Sequence, residues 1–238
     1  MSFQESTRAN VESLAQALFA ELKTGEQASL HLSAEDQCYI RFNASKVRQA
    51  TAVQQSNLTL SYQCNTRKVD ITCDLTGYFQ NDLNLLRSLM QRARQESRAL
   101  PEDRFCVPMQ NHGRSDNNYR GNLPDVSEVI TELAESAQNT DCTGLFAGGP
   151  QIRAVYNSEG LAHWFATESF FLDYSLFTTN AAGENKAVKA LYADRIWQQH
   201  HFLASLEANK ARLTLLQNTS ITLTPRRLSC LSGTGSCC

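Results

Sequence analysis

Few side chains in this sequence are spaced so that they could do chemistry together. The five histidines stand at 31, 112, 163, 200 and 201. A zinc peptidase commonly holds two histidines one helical turn apart around a glutamate, as in HExxH, with a third ligand elsewhere. His200 and His201 are neighbours, so on a helix they diverge by roughly 100° and cannot share an ion. His201 falls on an apolar helical stripe and reads as a core or boundary residue. His163 stands beside Trp164 in a strand-like run without a Glu-x-x-His partner, and His31 and His112 are isolated. Ser158 and Ser175 lack the GxSxG setting of an activated serine, and no cysteine opens a helix in a nucleophile motif. Gly148-Gly149-Pro150 has neither phosphate-loop pattern around it and reads as a tight turn. Glu168 and Asp173 form a carboxylate pair of a kind that any sheet protein offers. The chain by itself specifies no reaction.

What remains is a set of donors suited to binding. Arg41, Asn43, Lys46, Arg48, Gln49, Gln54 and Gln55 lie close in sequence with almost no carboxylate among them. Such a surface suits an acceptor-rich ligand; its plainer reading is a solvated sheet face.

The elements that would carry these residues follow from periodicity. Cys38, Ile40 and Phe42 alternate with Tyr39, Arg41 and Asn43, which sends the two sets to opposite faces of a strand. Val47 and Val53 mark a next strand, Leu58 to Cys64 a third and Val69 to Leu75 a fourth. Asn43-Ala44-Ser45 and Asn65-Thr66-Arg67 supply hairpin turns, and residues 28–33 start the sheet. Helical spacing predicts a first helix over Arg8–Lys23, a second after Asn81 or Asp82, and a third opened by Asp125 with Glu128. Trp197–Gln217 predicts a last helix with Trp197, His201, Ala204, Ala208, Ala211 and Leu215 on one side. His112 to Gly121 reads as a long polar loop. In the second half, Thr143–Ala147, Ile152–Tyr156, Leu161–Phe165 and Ser169–Phe177 read as strands, and Lys186–Ile196 fits strand or helix. The fold class is α+β: antiparallel β-meanders with flanking helices. The expected organisation is a first α+β subdomain over 1–124, a second over 125–225 and an irregular tail over 226–238.

Composition narrows the function classes. At 238 residues, 42% hydrophobic and net charge −2, the chain can bury a sizeable core but has no basic field for a phosphate backbone. No apolar run approaches the ~20 residues that span a bilayer, and the first residues lack the apolar stretch of a signal peptide. A cytoplasmic protein that binds neither nucleic acid nor membrane is the expectation. Of eight cysteines, the five before residue 200 form no CxxC pair and read as free thiols.

Several phrases resemble one family. They are Arg41-Phe42-Asn43-Ala44-Ser45-Lys46-Val47-Arg48-Gln49, Gly148-Gly149-Pro150, Tyr156-Asn157-Ser158-Glu159-Gly160, His163-Trp164, Phe171-Leu172-Asp173-Tyr174-Ser175-Leu176, and Lys186-Ala187-Val188-Lys189 through Trp197. In this order they resemble the TldD/PmbA (TldE) family of peptidase-related proteins, over roughly residues 8–225, and the PmbA-like branch more than TldD. The resemblance implies an N-terminal domain that helps bind or enclose extended peptides without the zinc motif, which a TldD-like partner would carry. It implies no cofactor in this chain, and either such a partner or a homodimer. Under this resemblance the candidate substrate-binding residues are Arg41, Asn43, Arg48, Gln49, Asp173 and Ser175. The alternatives are a non-catalytic interaction subunit or a truncated, inactive fragment.

The resemblance also implies a longer chain. Codons for Gly233-Thr234-Gly235-Ser236-Cys237-Cys238, read out of phase, can encode Tyr-Arg-Val-Leu-Leu, the type of strand that PmbA-like relatives carry near this point. A frameshift near residue 226 is therefore expected.

Overall fold

Alternation, turn chemistry and caps account for most of the elements. The computed structural model describes residues 2–125, 127–129, 131, 135 and 140–218. In chain order these residues form α1 (Phe3–Phe19), β1 (Glu26–Asn43), β2 (Lys46–Cys64), β3 (Arg67–Asp74), α2 (Phe79–Ala99), β4 (Arg114–Tyr119), β5 (Asp141–Asn157), β6 (Ala162–Thr179), β7 (Asn185–Asp194) and α3 (Gln199–Leu215). The strands make a seven-stranded sheet in the order β3-β2-β1-β5-β6-β4, with β7 also paired to β6. β2–β3 and β6–β7 are antiparallel, whereas β4 pairs parallel to β6. The α+β class is as expected.

The strands are longer and fewer than the sequence breaks suggest. Residues 28–33 and 38–43 belong to one strand, β1, and the two segments expected around Val53 and Leu58 are both β2. The polar break at residues 33–37 stays extended through cross-strand pairs: Gln54 Nε2 donates to Asp36 Oδ2 at 3.2 Å, and Gln55 Nε2 donates to Glu35. The Ala44–Ser45 turn does form, with φ of 50° and 55°, the left-handed pair that a tight hairpin demands.

Gly148-Gly149-Pro150 is not a turn, because β5 runs through it. Gly149 (φ +146°) brings β5 against the backbone of β1, where an added Cβ would stand 2.1 Å from Asp36 O. Leu161–Phe165 and Ser169–Phe177 merge into β6, and Lys186–Ile196 resolves as strand β7. The loop expected at 112–121 contains β4, which stays fully exposed as an edge strand.

Helix boundaries follow the caps. α1 begins five residues before the expected start, because Ser2 and Glu5 form a reciprocal capping box. α2 starts at Phe79, and Asp82 caps nothing. It lies buried and accepts Thr76 N at 2.8 Å and Gly77 N at 3.0 Å, which fixes the preceding loop. α3 buries Phe202, Leu206, Asn209 and Leu213 rather than the stripe through His201, which is exposed. The large aromatic ring of Phe202 sets the buried face, one position on from His201. At the expected third helix, Ser127 N donates to Asp125 Oδ1 at 2.7 Å and Asp125 N to Glu128 Oε2 at 3.3 Å; most of this helix lies outside the described residues. So does the tail expected at 226–238.

The chain divides into two compact units, each drawn from several stretches of the sequence. The first comprises residues 1–37, 53–120 and 149–168; the second comprises 38–52, 121–148 and 169 onward. In the first, Val11, Leu14 and Leu18 of α1 and Leu86 and Met90 of α2 pack on Leu30, Leu58, Leu60, Ile152 and Trp164 of the sheet. In the second, Phe202 and Leu206 of α3 join Ile40, Phe42, Phe146, Leu172 and Tyr174. Each such side chain contributes about 1.5–3 kcal/mol by leaving water. The helices therefore cover one face of each unit and leave the alternating residues on the other.

Candidate functional site

All six residues expected to bind substrate belong to the second unit. Arg41 and Asn43 alternate with the buried Ile40 and Phe42 on β1 and so project from the face opposite α3. Asp173 and Ser175 alternate with Leu172, Tyr174 and Leu176 on β6 and project to the same side. Only β5 separates β1 from β6, a spacing of about 10 Å. Thr143 of β5 fills that interval and donates to Asn43 Oδ1 at 2.8 Å. Four of the six thus share one exposed face. Arg48 and Gln49 are adjacent on β2, so they project from opposite faces and do not both join it. Gln49 Nε2 donates to Thr51 Oγ1 at 3.1 Å instead.

The decisive polar group on this face is Asp173. Its Oδ2 meets Lys189 Nζ at 3.0 Å, while its Oδ1 is enclosed and has no hydrogen-bond donor among the described residues. Apolar surface flanks it. Leu145, Phe171 and Phe177 are between 37% and 39% exposed, and Leu191, which pairs with Asp173 across β6–β7, is 56% exposed. The face thus combines a carboxylate, cationic and amide donors, and bare apolar side chains.

The first unit brings together residues that were not expected to act together. Arg153 and Val155 alternate with Ile152 and Ala154, and His31 alternates with Leu30 and Leu32; all three reach the face opposite α1 and α2. With His163 and Phe165 they line a cavity of about 480 Å³. The inward/outward alternation was a usable signal, but the pairing of distant strands was not legible. His31 is bound at 3.0 Å to Ser29; burial lowers the pKa of its ring, Lys68 lowers it further, and Asp70 acts against both. Among the described residues, no group of three or more His, Cys, Asp or Glu is placed to hold a metal ion.

Comparison with known proteins bears on the fold. No family model and no curated protein matches the sequence. Among solved structures, TldE from Thermococcus kodakarensis superimposes with a TM-score of 0.66 at 10% identity, over 86% of this chain and 47% of that one. The chain has a TldE-like fold. Proposed modulators of DNA gyrase from Bacteroides thetaiotaomicron and Thermotoga maritima agree with TldE here, with TM-scores of 0.64 and 0.62 at 9% and 12% identity. They cover 90% and 88% of this chain, and 50% and 48% of their own. The chain therefore spans about half the length of TldE and of both other structures. The family resemblance carried by the sequence motifs is matched in fold. Among the described residues, no helix is long and apolar enough to cross a membrane.

Proposed function

We propose that this chain is a non-catalytic, peptide-binding component of a TldD/PmbA-type peptidase assembly. It holds extended peptide on the exposed sheet face of the second unit, while zinc and hydrolysis belong to a TldD-like partner in the cytoplasm. The observation that carries this reading is one sheet face on which Arg41, Asn43, Asp173 and Ser175 project beside the exposed side chains of Leu145, Phe171 and Phe177. The Asp173 carboxylate accepts a peptide N–H through Oδ2, and the Arg41 guanidinium and Asn43 amide donate to peptide carbonyls. Phe171, Phe177 and Leu145 receive the side chains between these polar contacts. Arg48 extends the donor row along β2 near the hairpin end, with Gln49 on the reverse face. The TldE-like fold supports the choice of assembly.

The test is fluorescence anisotropy with a labelled, unstructured peptide of mixed sequence. Arg41→Ala and Asp173→Ala are each expected to weaken binding about fivefold to twentyfold. Equal affinity in wild type and both variants would overturn the proposed face. Co-expression with a TldD-like protein tests the assembly: cleavage and zinc only in the co-purified complex are the expected result, and cleavage by the chain alone contradicts the non-catalytic role.

A further inference from the structure

The exposed face of the first unit's sheet has a different character from that of the second. Its cavity of about 480 Å³ lies within the range of small-molecule sites. The residues that line it include no aspartate and no glutamate. They do include Arg153, His31 and His163, from three different strands. Val155 and Phe165 supply apolar wall between them.

Arg153 is the one permanent cation among the lining residues. Arg153 has no ion pair among the described residues. Its Nη1 donates to the carbonyl of Ile152 at 2.8 Å, which steadies the guanidinium and leaves Nε and Nη2 without acceptors among the described residues. A planar guanidinium with two donors side by side matches the two oxygens of a carboxylate or phosphate. His163 is held by Ser115 Oγ at 2.8 Å from Nδ1, so its Nε2 is the ring atom left for a ligand. Asn117 on the neighbouring edge strand adds an amide with no side-chain hydrogen bond among the described residues.

We propose that this cavity binds a small organic anion, with Arg153 as its anchor, His163 and His31 as flanking donors, and Phe165 and Val155 against the apolar body of the ligand. The ligand class is a carboxylic acid or a phosphate monoester with a compact apolar group. This site is separate from the peptide-binding face, and either assignment can fail without the other.

Calorimetric titration of the full chain separates the sources of the anion. The probes are N-benzoylglycine, phenyl phosphate, inorganic phosphate and the neutral benzamide. Saturable binding of N-benzoylglycine or phenyl phosphate, with benzamide at least about tenfold weaker, is the expected result. The tighter of the two acids names the group; binding of inorganic phosphate as tight as phenyl phosphate denies the apolar wall its part and overturns the ligand class. Arg153→Gln is expected to lower acid affinity about tenfold or more and Arg153→Lys less, because a lysine keeps the charge and loses the fork. His163→Gln is expected to cost roughly threefold. Arg153 is exposed, so an unchanged melting temperature for these variants is expected and keeps the comparison one of binding. The proposal fails if benzamide binds as tightly as the acids, if Arg153→Gln leaves acid affinity unchanged, or if neither acid saturates below about 10 mM.

Discussion

Arg94 of α2 grips Glu26 of β1 with two nitrogens: Nη2 lies 2.7 Å from Oε2 and Nε lies 2.9 Å from Oε1. Tyr62 Oη adds a third contact to Oε1 at 2.9 Å, and Lys23 N a fourth to Oε2 at 2.9 Å. The Glu26 side chain is only 8% exposed, so this is a desolvated ion pair that staples helix to sheet. Burial alone would raise the Glu26 pKa. Hydrogen bonds from Arg94, Lys23 and Tyr62, with the Arg94 charge, outweigh it and bring the carboxyl down to about 2 from 4.5. A carboxyl depressed in the folded state stabilises the fold fully above its unfolded value and loses that contribution as pH falls through the folded one. Urea unfolding should therefore show about 3 kcal/mol of stability lost between pH 5 and pH 2 through this group. Glu26→Gln should be less stable at pH 7 and show a flatter acid limb. A wild-type acid limb no steeper than that of Glu26→Gln would refute the assignment.

Asp82 makes a second prediction, because its two oxygens hold a loop rather than a helix end. Thr76 N and Thr76 Oγ1 donate to Oδ1 at 2.8 Å each; Gly77 N and Asn10 Nδ2 donate to Oδ2 at 3.0 Å each. Asp82→Ala strands these donors in a buried place. The expected loss is about 2–4 kcal/mol in denaturant unfolding. Asp82→Asn keeps one acceptor oxygen and should lose less. An Asp82→Ala protein as stable as wild type would show that the loop finds other partners.

These two cases show what the sequence could and could not convey. The alternation of Ile40 and Phe42 with Arg41 and Asn43 fixes which side chains share a face, because period two is a local property of the strand. The Ala44–Ser45 hairpin was legible for the same reason. Strand lengths were not: the polar stretch at residues 33–37 looks like a break until Gln54 and Gln55 of the next strand pair with it. Gly149 looked like a turn residue, since composition cannot tell a glycine that bends the chain from one that admits a neighbour. The Asp173–Lys189 contact joins two strands and was visible only once β6 and β7 were in register. Arg153 and His163 share a cavity through a strand pairing that no local pattern specifies.

Gly149 is testable against a glycine that has only a torsional reason to exist. At Gly25 (φ +84°) an added Cβ meets nothing within 4 Å, so Gly25→Ala should cost only about 1 kcal/mol of backbone strain. At Gly149 the added Cβ meets Asp36 O at 2.1 Å and Gln37 Cα at 2.9 Å, and both are backbone atoms of β1 that cannot swing away. Gly149→Ala should cost more than about 3 kcal/mol or prevent folding. Thermal unfolding of the two variants side by side decides it, and equal shifts would refute the close approach.

Cysteine reactivity offers a probe of the second core. Burial pushes the Cys142 thiol up to about 12, and Asp141 adds to the effect more strongly than Lys210 opposes it. The thiolate is the reactive form, so at pH 8 the native protein should leave Cys142 unlabelled by iodoacetamide while denatured protein labels fully. Cys73, raised to about 11 by burial and then by Asp74 and Asp82, should also label slowly. Peptide mapping by mass spectrometry reads each site separately. Prompt labelling of Cys142 in the folded protein would contradict its burial in one core with Phe42, Tyr174 and Phe202.

Asp173 separates a binding role from a structural one, because the two predict opposite signs. A carboxylate that supports the fold has its oxygens paired, and its removal destabilises. Asp173 has one oxygen enclosed without a donor among the described residues, and its other oxygen meets a lysine that is 71% exposed, a pair worth at most about 1 kcal/mol. Removing the side chain deletes an unpaired polar atom and a weak surface pair. Asp173→Ala should therefore be neutral or raise stability by up to about 1 kcal/mol, as expected where a group is kept for function. The same variant should lose about fivefold or more in peptide affinity. Lys189→Ala supplies the complementary arm: it removes the exposed partner, leaves Oδ1 as it was, and should change stability by less than about 0.5 kcal/mol while retaining most of the peptide affinity. Destabilisation by Asp173→Ala with unchanged peptide binding would assign the residue to the sheet rather than to a ligand, and the proposed face would lose its central contact.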